Sequence, residues 1–183
     1  LDPWRTPEGI AQEGQPVHAA WTQYFVEYII PQRWKSAGLA GAYHHHPEKS
    51  PAQDKSLSKL VALADKLSAG ERADALEKSA KPPRQLLTIF DRVSLQELSP
   101  LKAEHYLPLQ PLALQESVIF PKERVDADTE GNAYQTLVDG LEEAAKQDIK
   151  DGETYLENLL SAMQRYTWCV PSAYYHAIPD VSL

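Results

Sequence analysis

Val17-His18-Ala19-Ala20-Trp21-Thr22-Gln23-Tyr24-Phe25-Val26-Glu27-Tyr28-Ile29-Ile30, closed by Pro31, is the stretch that decides the fold class. Val17, Trp21, Tyr24, Phe25, Tyr28 and Ile29 recur at helical spacing, and Pro31 cannot continue a helix. The pattern predicts a core helix beginning near Pro16, with the large apolar residues facing inward. His18 shares a side with Phe25 and Ile29, so it is expected to point toward the interior or its rim.

Working outward, residues 1–15 hold Pro3, Pro7, Gly9 and Gly14 without apolar periodicity and read as an irregular approach. Beyond Gly38 and Gly41 comes His44-His45-His46-Pro47, where the proline limits helical continuation and sets the triplet at a helix end or in a turn. A second strong helix follows, with Asp54 placed to cap it and Leu57, Leu60, Val61, Ala64 and Leu67 as its apolar stripe. Asp65 sits at that stripe's edge, and Gly70 offers a stop. Glu71–Lys81 reads as a short helix or a surface loop before Pro82-Pro83. From Leu86 to Pro121, short apolar runs alternate with prolines and predict strands or extended segments. Two more helices are expected over 131–150 and 153–166, parted by Asp151-Gly152. The fold class is therefore mainly α, a helical bundle with short extended segments in the middle. Its expected division is 1–81, carrying the histidines, and 82–183, the remainder of the same domain.

The 183 residues, 43% hydrophobic and 24% charged, have the composition of a folded globular chain rather than a disordered one. A net charge of -8 excludes a general sequence-independent DNA binder and leaves room only for a local basic patch. The single cysteine, Cys169, permits no internal disulfide, and no apolar run is long enough to span a bilayer, so a cytoplasmic protein without a membrane role is expected. There is no glycine-rich phosphate loop, His-Glu-x-x-His helix or nucleophile elbow. Cys169 with His176 reads either as a nucleophile pair or as an inert buried thiol beside an unrelated histidine. Tyr174 and Tyr175 read as base-stacking rings or as core.

Histidine and carboxylate together are the ligand types of a hydrolytic divalent metal, because they hold the ion and leave a position for water. His18 on one helix, the triplet after it and Asp65 on the helix beyond place such groups on consecutive elements. Adjacent histidines point in different directions, so at most two of the three would share a site. Taken alone, the triplet is a solvated loop and His18 a core-rim histidine. Asp65, between Ala64 and Leu67, costs free energy at a buried edge unless something pairs with it.

His45-His46-Pro47-Glu48 followed by Ala64-Asp65-Lys66-Leu67-Ser68-Ala69-Gly70-Glu71-Arg72 resembles the HD domain at the N-terminus of the large, polymerase-like subunit of type III CRISPR effector complexes. Ile89-Phe90, Tyr106-Leu107-Pro108-Leu109, Tyr166-Thr167-Trp168-Cys169-Val170-Pro171-Ser172 and Pro179-Asp180-Val181-Ser182-Leu183 are similar to later blocks of that family, in the same order. The resemblance implies an HD-like helical fold that binds a divalent metal ion (Mn, Ni, Co or Mg). It implies a nuclease that cuts single-stranded DNA when an RNA-guided antiviral complex engages target RNA. Other subunits of that complex and its guide RNA would be the partners. Carried over, His45 and His46 match the family's paired histidines, with His44 as a substitute for one of them. Asp65 matches its late aspartate, and His18 the histidine on the preceding helix. The family's His-Asp doublet occurs nowhere in these residues, so two expectations follow: the doublet lies before Leu1 in a longer polypeptide, or the chain is an inactive HD-derived scaffold for subunit assembly. A helical HD phosphohydrolase acting on small nucleotides is a third. No Gly-Gly-Asp-Asp motif is present, so the cyclic-oligoadenylate synthesis of the neighbouring palm domain is not encoded here.

Overall fold

A computed structural model describes residues 15–51, 55–69, 84–88 and 104–171. The expected Asp54 cap, the 71–81 segment, the Ile89-Phe90 block, His176, Tyr174, Tyr175 and the Pro179–Leu183 block lie outside the described residues. The chain is mainly helical and forms two compact units, Leu1–Asp74 with Ala145–Asp148, and Ala75–Ala144 with Ile149–Leu183.

The first unit is built on α1 (Val17–Tyr28), α2 (Lys35–Ala42) and α3 (Ser56–Ala69), with short 3-10 turns at Gln32–Trp34 and Pro47–Lys49. Helix α1 packs on α2, and α2 on α3. The helical periods are as the sequence predicts, but the buried faces are not. In α1 the inward residues are Ala19, Ala20, Gln23 and Val26, whereas Val17 and Tyr28 are exposed and Trp21, Tyr24 and Phe25 are half-buried. His18 is exposed rather than directed inward. In α3 the inward residues are Ser58 and Ala62, flanked by half-buried Val61 and Asp65; Leu57, Leu60, Ala64 and Leu67 face out, Leu67 with 71% of its surface exposed.

A close approach of α2 accounts for the correction in α1. Helices that meet through small side chains come closer than helices that meet through leucines and aromatics. At Gly38 of α2 an added Cβ would stand 2.8 Å from one methyl of Val26 and 3.1 Å from the other, so the Gly38 backbone packs directly on the Val26 side chain with no room for a Cβ. Gly38 is what lets α2 dock closely on α1. Gln23 is tolerated in this seam because both ends of its amide are used: it accepts from Gln15 Nε2 (3.2 Å) and donates to Glu27 Oε1 (2.8 Å). Arg33 makes a two-pronged ion pair with Asp148, at 2.8 and 3.0 Å.

The second unit holds a single-turn α4 (Glu116–Ile119), α5 (Ala127–Ala145, whose last residue groups with the first unit) and α6 (Gly152–Thr167). The extended segments expected in its middle reduce, among the described residues, to two isolated antiparallel bridges, Leu87 to Tyr106 and Tyr106 to Lys122. Helix α5 starts earlier than expected because Asp126 caps it, accepting from the backbone N–H of Thr129 at 2.8 Å and of Asp128 at 3.0 Å. Asp151 does the same for α6 through Thr154. Gly140 of α5 again marks a close approach, since a Cβ there would meet the Tyr166 ring at 2.3 Å. Leu109, Leu137 and Cys169 form the core, covered by Leu107, Tyr134, Tyr166 and Trp168.

Charge is divided along the chain. Residues 15–51 and 55–69 hold six Lys and Arg against three Asp and Glu, while 84–88 and 104–171 hold six against thirteen. Over all its residues the first unit holds nine Lys and Arg against ten Asp and Glu, so the overall -8 lies almost wholly in the second unit. No helix among the described residues is long and apolar enough to cross a membrane.

Candidate metal centre

Three histidine rings meet beside the α1–α2 seam. His18 comes from the first turn of α1, and His44 and His45 from the turn that follows α2. His18 Nε2 is 2.8 Å from His45 Nε2 and 3.4 Å from His44 Nε2, and one ligand nitrogen from each ring lies within 4.8 Å of the others. Small side chains are what bring these elements together: Ala19 and Ala20 follow His18 in α1, and Ala40 and Ala42 precede the triplet in α2, all buried.

The His44 ring is fixed from behind. Its Nδ1 lies 2.5 Å from the carbonyl oxygen of Gly41, and a carbonyl can only accept, so Nδ1 carries the hydrogen and Nε2 presents its lone pair to the cluster. A ring nitrogen held in this way by a backbone carbonyl is the usual support of a metal-ligating histidine. Burial, then the adjacent His44 ring, lowers the pKa of His18, while the Asp65 carboxylate raises it. His45 is lowered in the same order, by burial, His44 and then His18, again with Asp65 opposing. For both rings burial is the larger effect and the neighbouring imidazoles add to it. Each effect except that of Asp65 favours neutral rings, the form that ligates.

The separations suit a small divalent ion. Bonds of about 2.0–2.1 Å from nitrogen to metal place neighbouring ligand nitrogens roughly 3.0 Å apart in octahedral and 3.4 Å apart in tetrahedral arrangements. The two distances found, 2.8 and 3.4 Å, lie close to that range.

Of the four residues named from the sequence, the structure thus brings His18 and His45 together. Asp65, half-buried on the inner side of α3, acts electrostatically on both rings but is outside the compact three-nitrogen set. His46 turns away from the cluster, with its Nδ1 3.4 Å from Glu48 Oε1. His44 takes the third place, and nothing in the bare sequence distinguished it from His46. A shallow cleft beside His45 and His46 is lined by Ala19, Ala42, Tyr43 and the exposed Lys49, giving the site one cation of its own. Cys169 lies elsewhere and is fully buried; burial pushes its thiol pKa up, the opposite of what a nucleophile requires.

No protein-family model and no solved structure matches the chain significantly. Among curated proteins, it is similar to the CRISPR system single-strand-specific deoxyribonuclease Cas10/Csm1 (subtype III-A) of Methanocaldococcus jannaschii. The identity is 31% over 170 residues, covering 84% of this chain and 20% of that protein. The chain spans about a fifth of the length of the curated relative it matches. The similarity supports a Cas10-related region of a type III CRISPR effector subunit.

Proposed function

We propose that this chain belongs to the nuclease-bearing part of a type III CRISPR large subunit, where His18, His44 and His45 hold a divalent metal ion and the substrate is single-stranded DNA. The observation that carries the reading is the convergence of three imidazole nitrogens, one of them locked by Gly41, in a chain that shares 31% identity with a stretch of a single-strand-specific deoxyribonuclease. An HD-type site and its role in antiviral defence are part of the same proposal.

A bound divalent ion supplies the Lewis acidity and the acidified water of phosphodiester hydrolysis. The protein's own groups do the rest. The Gly41 carbonyl keeps the His44 lone pair directed at the cluster. Burial, with the adjacent rings adding to it, favours the neutral, ligating form of His18 and His45. Asp65 adds negative potential on the α3 side, which would favour a bound cation. Lys49, at the mouth of the cleft, attracts the phosphate diester. Three rings would leave the ion coordination positions for water and for further ligands.

The test is metal content and cleavage of single-stranded DNA by the intact protein. His44→Ala and His45→Ala are expected to abolish both, and Asp65→Asn to reduce cleavage. His46→Ala is expected to retain metal. Cleavage unaffected by both His45→Ala and Asp65→Asn would reject the assignment, and metal lost equally in His46→Ala would reject the choice of His44. An intact protein that neither binds metal nor cuts DNA would instead favour the scaffold.

A further inference from the structure

The proposed chemistry leaves unused an aromatic run on the outer face of α1. At 100° per residue, Val17, Trp21, Tyr24 and Tyr28 fall on one narrow stripe, and His18 lies on the stripe beside it. Three of these side chains form a ladder. The Trp21 and Tyr24 rings meet edge to face, with centroids 5.6 Å apart and planes at 72°. Tyr24 and Tyr28 stack, at 4.9 Å and 30°. The last ring, Tyr28, leaves 62% of its surface to solvent, so a flat apolar face stands open at the end of the ladder.

The surroundings of the ladder narrow the choice of occupant. It begins one turn from His18 and climbs roughly 10 Å along the helix axis, the rise of seven residues. That length corresponds to about three steps of a stacked nucleic-acid strand. Its far end lies by Lys35, whose ammonium donates to the carbonyl of Glu27, next to Tyr28. Aromatic faces in series with a cation at the open end are a pattern that holds unpaired bases, whose π-faces a duplex would keep occupied.

We propose that Trp21, Tyr24 and Tyr28 form a stacking track along which a single strand of nucleic acid is led to the His18–His44–His45 cluster, with a base on Tyr28 and a phosphate toward Lys35. This rests on the nuclease reading for its direction and goes beyond it in naming the surface that selects unpaired strands. A helix of a protein partner is the competing occupant of such a face.

The test uses the intact protein and fluorescent oligothymidylate, with binding followed by anisotropy in EDTA so that no cleavage occurs. Tyr28→Leu keeps an apolar side chain and removes the ring; it is expected to weaken binding by roughly 5- to 150-fold, the loss of one stacked base. Tyr28→Phe is expected to bind as the wild type does. A duplex of equal length is expected to bind more weakly than the single strand and to be insensitive to Tyr28→Leu. Oligothymidylate binding unchanged in Tyr28→Leu, or a deficit confined to assembly with partner subunits, overturns the track. The two readings fail separately: wild-type protein that binds through Tyr28 but never cuts, with any metal, refutes the nuclease and leaves the track standing. Protein that cuts with an unaltered KM for DNA in Tyr28→Leu refutes the track alone.

Discussion

Replacing Gly38 by alanine isolates the contact on which the first unit depends. Two effects compete. Alanine is favoured over glycine within a helix by about 1 kcal/mol, which would stabilise α2. Against this, the new Cβ would lie 2.8 and 3.1 Å from the two methyls of Val26, where ordinary contacts begin near 3.4 Å. Val26 cannot swing aside, because a β-branched side chain in a helix has one strongly preferred rotamer and this one is buried. Relief must come from separating α1 and α2, and overpacking of this kind costs about 1–3 kcal/mol. The net expectation for Gly38→Ala is a loss of up to about 2 kcal/mol. Urea unfolding followed by the fluorescence of Trp21 and Trp34 measures it. Adding Val26→Ala should remove the clash, so the double variant is expected to show a favourable coupling of about 1–2 kcal/mol. Because Gly41 follows Gly38 in the same helix and orients His44, metal affinity should fall with stability. A Gly38→Ala protein as stable as the parent, with no coupling to Val26, would refute the argument that small residues set the helix spacing.

Two further outcomes follow from the second unit. Burial, with Glu130 nearby, pushes the Tyr134 phenol up to about 12, and its hydroxyl donates to the Arg84 carbonyl. A group raised on folding contributes stability that is complete below its ordinary pKa of 10 and is lost as the pH climbs toward 12. Thermal scans across that interval should show a fall in stability that Tyr134→Phe lessens. Asp151 accepts from the Thr154 N–H at 2.9 Å and its hydroxyl at 2.7 Å, and these bonds hold the carboxyl below its ordinary 3.8. Asp151→Ala is expected to lower the melting midpoint by roughly 2–4 °C at neutral pH. The deficit should shrink as the pH falls below about 4, where the wild-type cap also becomes protonated; a deficit independent of pH would show that the cap is not the cause.

The periods of α1 and α3 were legible in the sequence, and so was the turn that Pro47 imposes on the triplet. Their phases were not. Trp21, Tyr24 and Tyr28 recur as regularly as Ala19, Gln23 and Val26, and hydrophobicity alone assigns the larger set to the core. Only the close approach at Gly38 shows that the smaller set won. The same glycine hid α2, since glycine's low helix propensity conceals its value where a backbone packs directly on a neighbouring side chain. At the site, His18 and the turn after α2 could be named in advance. The choice between His44 and His46 depends on a backbone carbonyl three residues back and on Glu48, and neither leaves a mark in composition or spacing.

The uneven distribution of charge means that added salt will not act on this chain as a single variable. Over residues 1–81, where cations and anions are equal in number, salt does little to the net self-repulsion, but counterions still screen Lys35 and Lys49 from an incoming polyanion and lower its occupancy. Over 104–171, where like negative charges crowd α5 and α6, the same counterions relieve self-repulsion and favour the folded state. Ionic strength that weakens ligand capture should therefore strengthen half of the scaffold, and a buffer chosen for thermal stability would be a poor one in which to look for binding.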